Sequence, residues 1–477
     1  MTSFHILLPI VLLLIFNLPF GRRFRTAAWI VTGLMFLIQT VSAVTLFPGA
    51  CLTGFDAVDA FLKVGIGFDL LSRVMMAAIG IVGLAVLVSA PGLAKSAEGP
   101  AFHFIDLLLI AKAAMSGVVL SRDLFTVYVF IETLSIASFV LIAVDKDRKG
   151  LASAFKYVVM SGIATVCMLL GIAVFLLLAG GVGFDQVANV VNGSDRGLGL
   201  LGLGLLTVGL FIKGGLVPFH GWLPDAYSEA PPAVSILLAG IITKIGGIYT
   251  LIRLVSLLGG MPAGLTRTLL FFGALSVVVG AVTAMKQTTF KRILSFSSIS
   301  QVGYIILGFA VGTPLGIAGA VFHLFNHSIF KSLLFVNAAA VEKQTGTGEL
   351  ARLGGLQSRM PVTSATSLVG LLSTAGVPPL SGFWSKLIII MALWQSHQHV
   401  YALIAVLASV LTLAYLLIIQ RRVFFGKLAD QLSGVKEAGF GVGLAAVSLA
   451  LLNIAGGLCF PLFFEKFFMP LRAILFR

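Results

Sequence analysis

The sequence predicts an all-α integral membrane protein of about fourteen transmembrane helices, and three observations carry that expectation. Of 477 residues, 58% are hydrophobic and 10% charged, with a mean hydropathy of +1.08. A soluble domain carries roughly a quarter charged residues, so a soluble fold is excluded. Apolar runs long enough to cross about 30 Å of hydrocarbon recur from end to end. Those runs read as helices, because backbone polar groups in lipid must be satisfied within a helix or a closed barrel. No stretch alternates over about ten residues as barrel strands do.

In chain order, the runs fall near 4–20, 27–46, 68–90, 102–120, 123–144, 152–180, 198–217, 232–256, 266–285, 293–311, 315–341, 361–395, 400–425 and 437–464. The first lacks a basic leader and a small-residue cleavage site, so it reads as a membrane helix and not as a removed signal. Pro218 directly follows the run 198–217 and the pair Pro378–Pro379 falls inside 361–395; both are expected to break a helix, since proline removes an N–H and clashes with the preceding turn. Gly, at 53 residues, suits close helix–helix contact in lipid.

Orientation follows from the basic residues in the loops. Arg22, Arg23, Arg25, Lys146, Arg148, Lys149, Lys286, Lys291, Arg292, Lys343, Arg352, Arg359, Arg421, Arg422, Lys427 and Lys436 follow odd-numbered helices. Lys63, Arg196 and Arg267 are the main ones after even-numbered helices. Both termini are therefore expected on the non-cytoplasmic side of a prokaryotic inner membrane, with the basic end (Lys466, Arg472, Arg477) a mild counter-signal. The formal charge of +14 reflects this loop chemistry and does not suggest nucleic acid. Cys51, Cys167 and Cys459 show no pairing or cluster spacing, so no disulfide framework, zinc site or iron–sulfur centre is expected.

An internal repeat organises the chain. Gly215-Leu-Val-Pro-Phe-His-Gly-Trp222 matches Gly376-Val-Pro-Pro-Leu-Ser-Gly-Phe383, 161 residues later. This maps the fourth-to-eighth helices onto the ninth-to-thirteenth, and an odd number of spans per copy turns the second upside-down. Inverted repeats with broken helices in matching places mark ion pathways at the midplane. The expected units are an N-terminal three-helix segment (1–100), a first five-helix repeat (101–260), a second, inverted one (261–426) and a C-terminal helix and tail (427–477). A chance match between two Pro-containing helices is the plainer alternative.

Ionisable groups within the bilayer are costly and default to functional candidates. Glu132 lies deep in the run Leu124–Ala143; a structural ion pair is its plainer reading. Lys213 precedes the Pro218 break, where freed carbonyls can bond water or an ammonium, or it snorkels to an interface. Lys244 is central in Val234–Leu254, too deep to snorkel. His323, His327 and Lys331 share a helix face at i, i+4 and i+8. Histidine titrates near neutral pH and suits a relay, and two histidines without nearby Cys or acid make a poor metal site. Lys386 follows the second break, beginning a half-helix Leu387–Leu393, with anchoring beside Trp384 as the alternative. His220 and Asp225 read equally as a hydrated gate or a loop cap. Lys156, Lys112, Asp106 and Arg73 sit too near the expected helix ends to place, and cytoplasmic anchoring explains Lys156. Glu, Lys and His can all release and regain a proton, so the chemistry is proton hopping; nothing resembles a nucleophile with its base.

The string Lys213-Gly-Gly-Leu-Val-Pro-Phe-His-Gly-Trp-Leu-Pro-Asp-Ala226, followed by Glu229-Ala-Pro-Pro-Ala-Val-Ser235 and Lys244, resembles the antiporter-like subunits of respiratory complex I. That family also includes the Mrp-type cation/proton antiporters and membrane-bound hydrogenases. Ser121-Arg-Asp-Leu-Phe-Thr-Val-Tyr-Val-Phe-Ile-Glu132, His323-Leu-Phe-Asn-His-Ser-Ile-Phe-Lys331 and the segment Gly376–Lys386 are similar to further motifs of the family, and the likeness covers roughly 100–425. The resemblance implies that Glu132 and Lys213 are a coupling ion pair and Lys244 a central proton carrier. His323, His327 and Lys331 would form the hydrated link, and Lys386 the terminal site. Lysine at 386 disfavours one complex I subunit, which has glutamate there. The expected end soon after the fourteenth helix makes members with a long lateral helix poor matches, and the wording around Lys213 and Trp384 looks nearest the Mrp-type and hydrogenase-type members.

The expected role is a proton-translocating membrane subunit of a redox-driven complex or Mrp-type antiporter, with no catalytic centre, metal or cofactor of its own. Expected partners are other membrane subunits, related antiporter-like ones among them, a peripheral redox arm, the lipid bilayer and protons, with sodium carried by a partner. A stand-alone solute transporter or a non-conducting scaffold are the rivals. The first wants a roomy substrate site; the second leaves the buried charges without a use.

Overall fold

A computed structural model describes residues 4–17, 25–45, 66–93, 101–193, 196–256, 258 and 261–471. Arg22, Arg23, Lys63, Cys51, Arg472 and Arg477 lie outside the described residues. The helices are α1 (Phe4–Phe16), α2 (Arg25–Thr45), α3 (Leu70–Leu93), α4 (Ala101–Leu120), α5 (Leu124–Ile142), α6 (Arg148–Ala179), α7 (Phe184–Asn192) and α8 (Arg196–Gly214). Then come α9 (Leu223–Glu229), α10 (Pro232–Ser256), α11 (Ala263–Met285), α12 (Phe290–Ala310), α13 (Pro314–Thr345), α14 (Pro361–Ala375), α15 (Ser381–Gln395), α16 (His399–Ile419) and α17 (Phe440–Leu458).

Eleven helices among the described residues are long and apolar enough to cross a membrane. The chain is thus a multi-pass, all-α membrane protein, while the expected count of fourteen is not established. Every expected run falls on a helix, but α1 has 13 residues and the run 361–395 is two helices of 15 residues each. Among the described residues β-pairing is limited to three isolated bridges.

The interior is largely apolar yet encloses a set of polar and charged groups, and the outer surface is apolar as well. The membrane-spanning parts of α10 and α12 are wholly enclosed, and the polar side chains Lys244, Ser297, Gln301, His323 and Lys331 lie at the centre. The outer surface carries Phe155, Leu177 and Val400, each more than two-thirds exposed. Lipid is as apolar as leucine, so such a rim costs nothing in a bilayer.

Matching backbone features recur along the chain. The bridge Asp123–Gly183 is repeated as Thr289–Glu349, 166 residues on at both ends. Asp147 caps the start of α6 by accepting from Gly150 N, and Thr313 caps α13 by accepting from Gly316 N. Gly180 and Gly346 end those two helices in the left-handed conformation, which glycine adopts without a Cβ penalty. Past that point the spacing drops to 161: Gly215 and Gly376 both have positive φ, and Val217–Pro218 and Pro378–Pro379 are both cis. The spacing shortens where α7 gives way to two 3-10 turns at Leu350–Arg352 and Leu356–Ser358 and, mainly, where the 19-residue α8 gives way to the 15-residue α14.

Several expectations are corrected. Arg25, Arg148, Lys149, Arg196, Arg267, Lys291, Arg292 and Lys343 lie inside helices and Arg421 and Arg422 inside a π-turn, not in loops; these helices extend beyond their apolar runs because polar residues can continue a helix at its wet end. The helix bearing Lys386 begins at Ser381, since Ser381 and Gly382 can enter the first turn directly after the Pro–Pro break.

Candidate functional site

The first break places one ammonium among oxygens. Lys213 occupies the last turn of α8, next to the left-handed Gly215. Its Nζ donates to Glu132 Oε1 at 2.8 Å, Ser135 Oγ at 2.8 Å and Ser161 Oγ at 2.6 Å. Three donors thus meet three oxygens from α5 and α6, which satisfies the ammonium. Trp222, stacked on Tyr157 with ring centres 4.5 Å apart, donates to Ile212 O and holds the broken end in place. Glu132 retains 24% side-chain exposure while Lys213 has 3%, so the carboxylate is the outer member of the pair.

Lys244 lies in α10, where π-helical turns span Leu238–Ile242 and Lys244–Tyr249. π-turns of this kind recur at functional sites; here Ala239 O, five residues back, accepts from Lys244 Nζ. Tyr227 and Thr243 share a hydrogen bond of 2.5 Å beside it.

Lys331 Nζ donates to Leu294 O (3.1 Å) and Ser297 Oγ (2.8 Å), and Tyr415 donates to that same hydroxyl at 2.9 Å. The His323 ring meets Ser385 Oγ through Nδ1 at 2.8 Å and Gln301 Oε1 through Nε2 at 3.2 Å. His327 lies parallel to it with ring centres 6.3 Å apart, and neither of its nitrogens has a hydrogen-bond partner among the described residues. Lys386 Nζ donates to Ala375 O at 3.3 Å, a carbonyl freed by the second break, and sits 4.6 Å from the centre of the Tyr304 ring. Tyr304 donates in turn to Ala405 O of α16. All these lysines and histidines are buried, and they run from α5 and α8 through α10 and α13 to α15.

His220 and Asp225 are not joined by a hydrogen bond. Asp225 bridges Lys156 of α6 and Arg292 of α12, the latter at 2.9 Å, while His220 faces Phe296 and its Nδ1 is unpartnered among the described residues. The Lys156 side chain, expected as an anchor, is thus one of two cations that Asp225 holds, joining α6 to α12.

Sequence reasoning missed two further clusters. Asp69, just before α3, accepts from Ser72 N (2.8 Å), Arg122 (3.1 Å) and both terminal nitrogens of the buried Arg253. Burial opposes the Asp69 charge, but the hydrogen-bonded Arg253 and nearby Arg122 override it and hold the carboxyl well below the usual carboxylate range. Arg253 sits inside an apolar run, which is a legible signal; Asp69, at a helix start, is not. Lys291 pairs with Glu342 at 2.6 Å across α12 and α13.

Residues 121–412 match the family model described as NADH:quinone oxidoreductase/Mrp antiporter, TM. The chain is 34% identical over 395 residues to one Na(+)/H(+) antiporter subunit of Alkalihalophilus pseudofirmus, covering 82% of this chain and 79% of that one. It is 32% identical over 351 residues to one NADH-quinone oxidoreductase subunit of Desulforudis audaxviator, covering 73% and 70%. Its fold superposes on a chain of the Mrp complex from a Dietzia species with a TM-score of 0.87 at 23% identity, covering 100% and 97%. With matching motifs, fold and relatives, the chain is an antiporter-like membrane subunit and belongs to the NADH:quinone oxidoreductase/Mrp antiporter transmembrane family.

Proposed function

We propose that this chain carries protons along the line Glu132, Lys213, Lys244, His327, His323, Lys331 and Lys386, as one subunit of an Mrp-type antiporter or a redox-driven pump. The observation that carries the reading is the Lys213 ammonium held between Glu132 and two hydroxyls at a broken helix. A buried pair of this kind is strongly perturbed when either member loses or gains a proton, so its state couples to whatever charges lie next along the line.

Lys244 sits one element further in, on a carbonyl rather than a carboxylate. A proton leaving Lys213 for Lys244 leaves the Glu132 charge behind, and that charge draws the next proton in. The histidines relay between Lys244 and the second break, and Lys386 passes the proton outward. His220 and Asp225 flank the mouth of the first break and act as its gate. The two five-helix copies lie in opposite senses in a prokaryotic inner membrane, with both termini on the non-cytoplasmic side. No step needs a cofactor held by this chain; the driving redox or ion-exchange chemistry belongs to partner subunits, and sodium, where it moves, is a partner's cargo.

The test is proton pumping by the intact complex in sealed vesicles, wild type against Lys244→Ala at matched assembly. Pumping is expected to fall at least tenfold. Unchanged pumping would make the buried charges structural and the chain a scaffold.

A further inference from the structure

The Glu132–Lys386 line does not use every buried charge. Lys112, near the middle of α4, has no exposed surface, and its Nζ has no hydrogen-bond partner among the described residues. Its contact is the face of Phe36 on α2, with Nζ 5.8 Å from the ring centre.

Side chains one turn from Phe36 and from Lys112 on the same two helices share the deficit. Gln39 lies one turn beyond Phe36 on the buried stripe of α2; its amide nitrogen donates to Met76 O, but Oε1 is unpartnered. Thr32, one turn the other way, has an unpartnered Oγ1, and so has Ser116 at Oγ, one turn beyond Lys112 on α4. All three are fully buried. His5 of α1 is buried against Ser42, further along α2 from Gln39. Unsatisfied polar atoms are rare in folded interiors. Four of them, a lysine amine and three oxygens, fall within about two helical turns on facing elements.

Other charges on the elements packed against α4 are engaged elsewhere. Asp106 of α4 accepts from Asn17, and Arg73 of α3 donates to Ala43 O and Val44 O. Glu132 of α5 is held by Lys213, and Lys244 of α10 by Ala239 O. His5 remains as the second titratable group in the cluster.

We propose that Lys112 is a second proton-exchanging site of this subunit, set in the N-terminal bundle and separate from the Glu132–Lys386 line. The amine takes a proton from a hydronium ion, leaving water, and the oxygens of Gln39, Thr32 and Ser116 solvate the ammonium that forms. When the amine returns the proton, Gln39 and the hydroxyls hydrogen-bond the water that remains. An amine with no carboxylate partner and three spare acceptors is built to change charge, whereas a purely structural lysine would be fixed by an anion. The inference rests on the reading that the chain moves protons, and its tests are chosen to fail separately from that reading.

The first test uses the wild-type complex in membranes, treated with formaldehyde and a borane reductant across a pH series from neutral to alkaline, with methylated lysines mapped by mass spectrometry. Formaldehyde is little larger than water and reacts with uncharged amines, so Lys112 is expected to be labelled increasingly as pH rises. Lys112 unlabelled at every pH would overturn the proposal, whatever the pumping line does. The second test compares Lys112→Met and Lys112→Arg in sealed vesicles. Met, which keeps the volume and cannot hold a proton, is expected to lower proton flux at least threefold and shift its pH profile; Arg, permanently charged, is expected to lower it further. Unchanged flux and profile in an assembled Met variant would overturn the proposal. Where neither variant assembles, the labelling result decides. Labelling of Lys112 together with unchanged pumping in Lys244→Ala would sink the main line and leave this site standing.

Discussion

Lys213 and Asp69 are the two residues whose contacts make quantitative demands. Removing one member of a buried ion pair leaves the other charged and unpaired, at about 3–5 kcal/mol, whereas removing both can be nearly neutral. Glu132→Gln is therefore expected to lower the melting temperature of the assembled complex and cut pumping at least tenfold. Glu132→Gln with Lys213→Met is expected to recover much of the stability and none of the pumping. Additive losses in melting temperature would show that the 2.8 Å contact is not a coupled pair. Asp69 makes a pH prediction. Its folded-state pKa is depressed by Arg253 and Arg122 against the opposing effect of burial. The stability it contributes is thus complete above the unfolded value of about 3.9 and is lost as pH falls below it. Acid unfolding of the wild type is expected to set in as pH drops below about 4. Asp69→Asn should be less stable at neutral pH and flatter in that window; an unchanged acid limb, followed by circular dichroism, would refute the assignment.

Between residues and the whole, the breaks and π-turns decide where each charge points, and these are unevenly legible. Pro218 and Pro378–Pro379 announce two breaks, because proline leaves a local mark in any sequence. Nothing comparable announces the π-turns around Lys244, whose extra residue per turn is imposed by packing. Gly247 shows how tight that packing is. A Cβ there would lie 2.4 Å from Gly214 Cα and N, so the backbones of α8 and α10 are in direct contact next to Lys213. At the adjacent Gly246 the nearest atom to such a Cβ is Leu134 Cδ2 at 4.0 Å. Gly247→Ala is expected to cost about 1–3 kcal/mol, as overpacked cores do, and to impair pumping by separating Lys244 from Lys213. Gly246→Ala should be close to neutral in both. Equal thermal stability of the two variants would contradict this contact.

At the scale of the molecule, composition and apolar spacing are enough for the fold class, and an eight-residue match is enough to suggest a repeated path. The longer spacing of 166 residues is hidden in the sequence because its markers, a cap at Asp147 or Thr313 and a glycine stop at Gly180 or Gly346, are single positions with few identities between them. Glu132, Lys213, Lys244, Lys331 and Lys386 stand out because a charge in an apolar run is conspicuous. Their partners do not, because serines and carbonyls are conspicuous nowhere. Orientation is open to direct test. An alkaline phosphatase fusion at the C-terminus is expected to be active, as that enzyme folds outside the cytoplasm, while a green fluorescent protein fusion there should be dark; the reverse pattern would invert the topology.

The carbonyl oxygens of Ala239, Leu294 and Ala375 have one more consequence. A carbonyl accepts from a neutral amine as well as, more strongly, from an ammonium, so Lys244, Lys331 and Lys386 can each be discharged without stranding an opposite charge. Only Lys213, among the lysines of the line, leaves an anion behind. Every proton that settles on the other three therefore adds a whole uncompensated charge to a poorly polarisable interior, where like charges repel far more strongly than in water. On the proposed proton path the queue would limit itself, a second occupant being admitted as the first departs, and the rate would belong to the exit at Lys386 as much as to the entrance at Glu132.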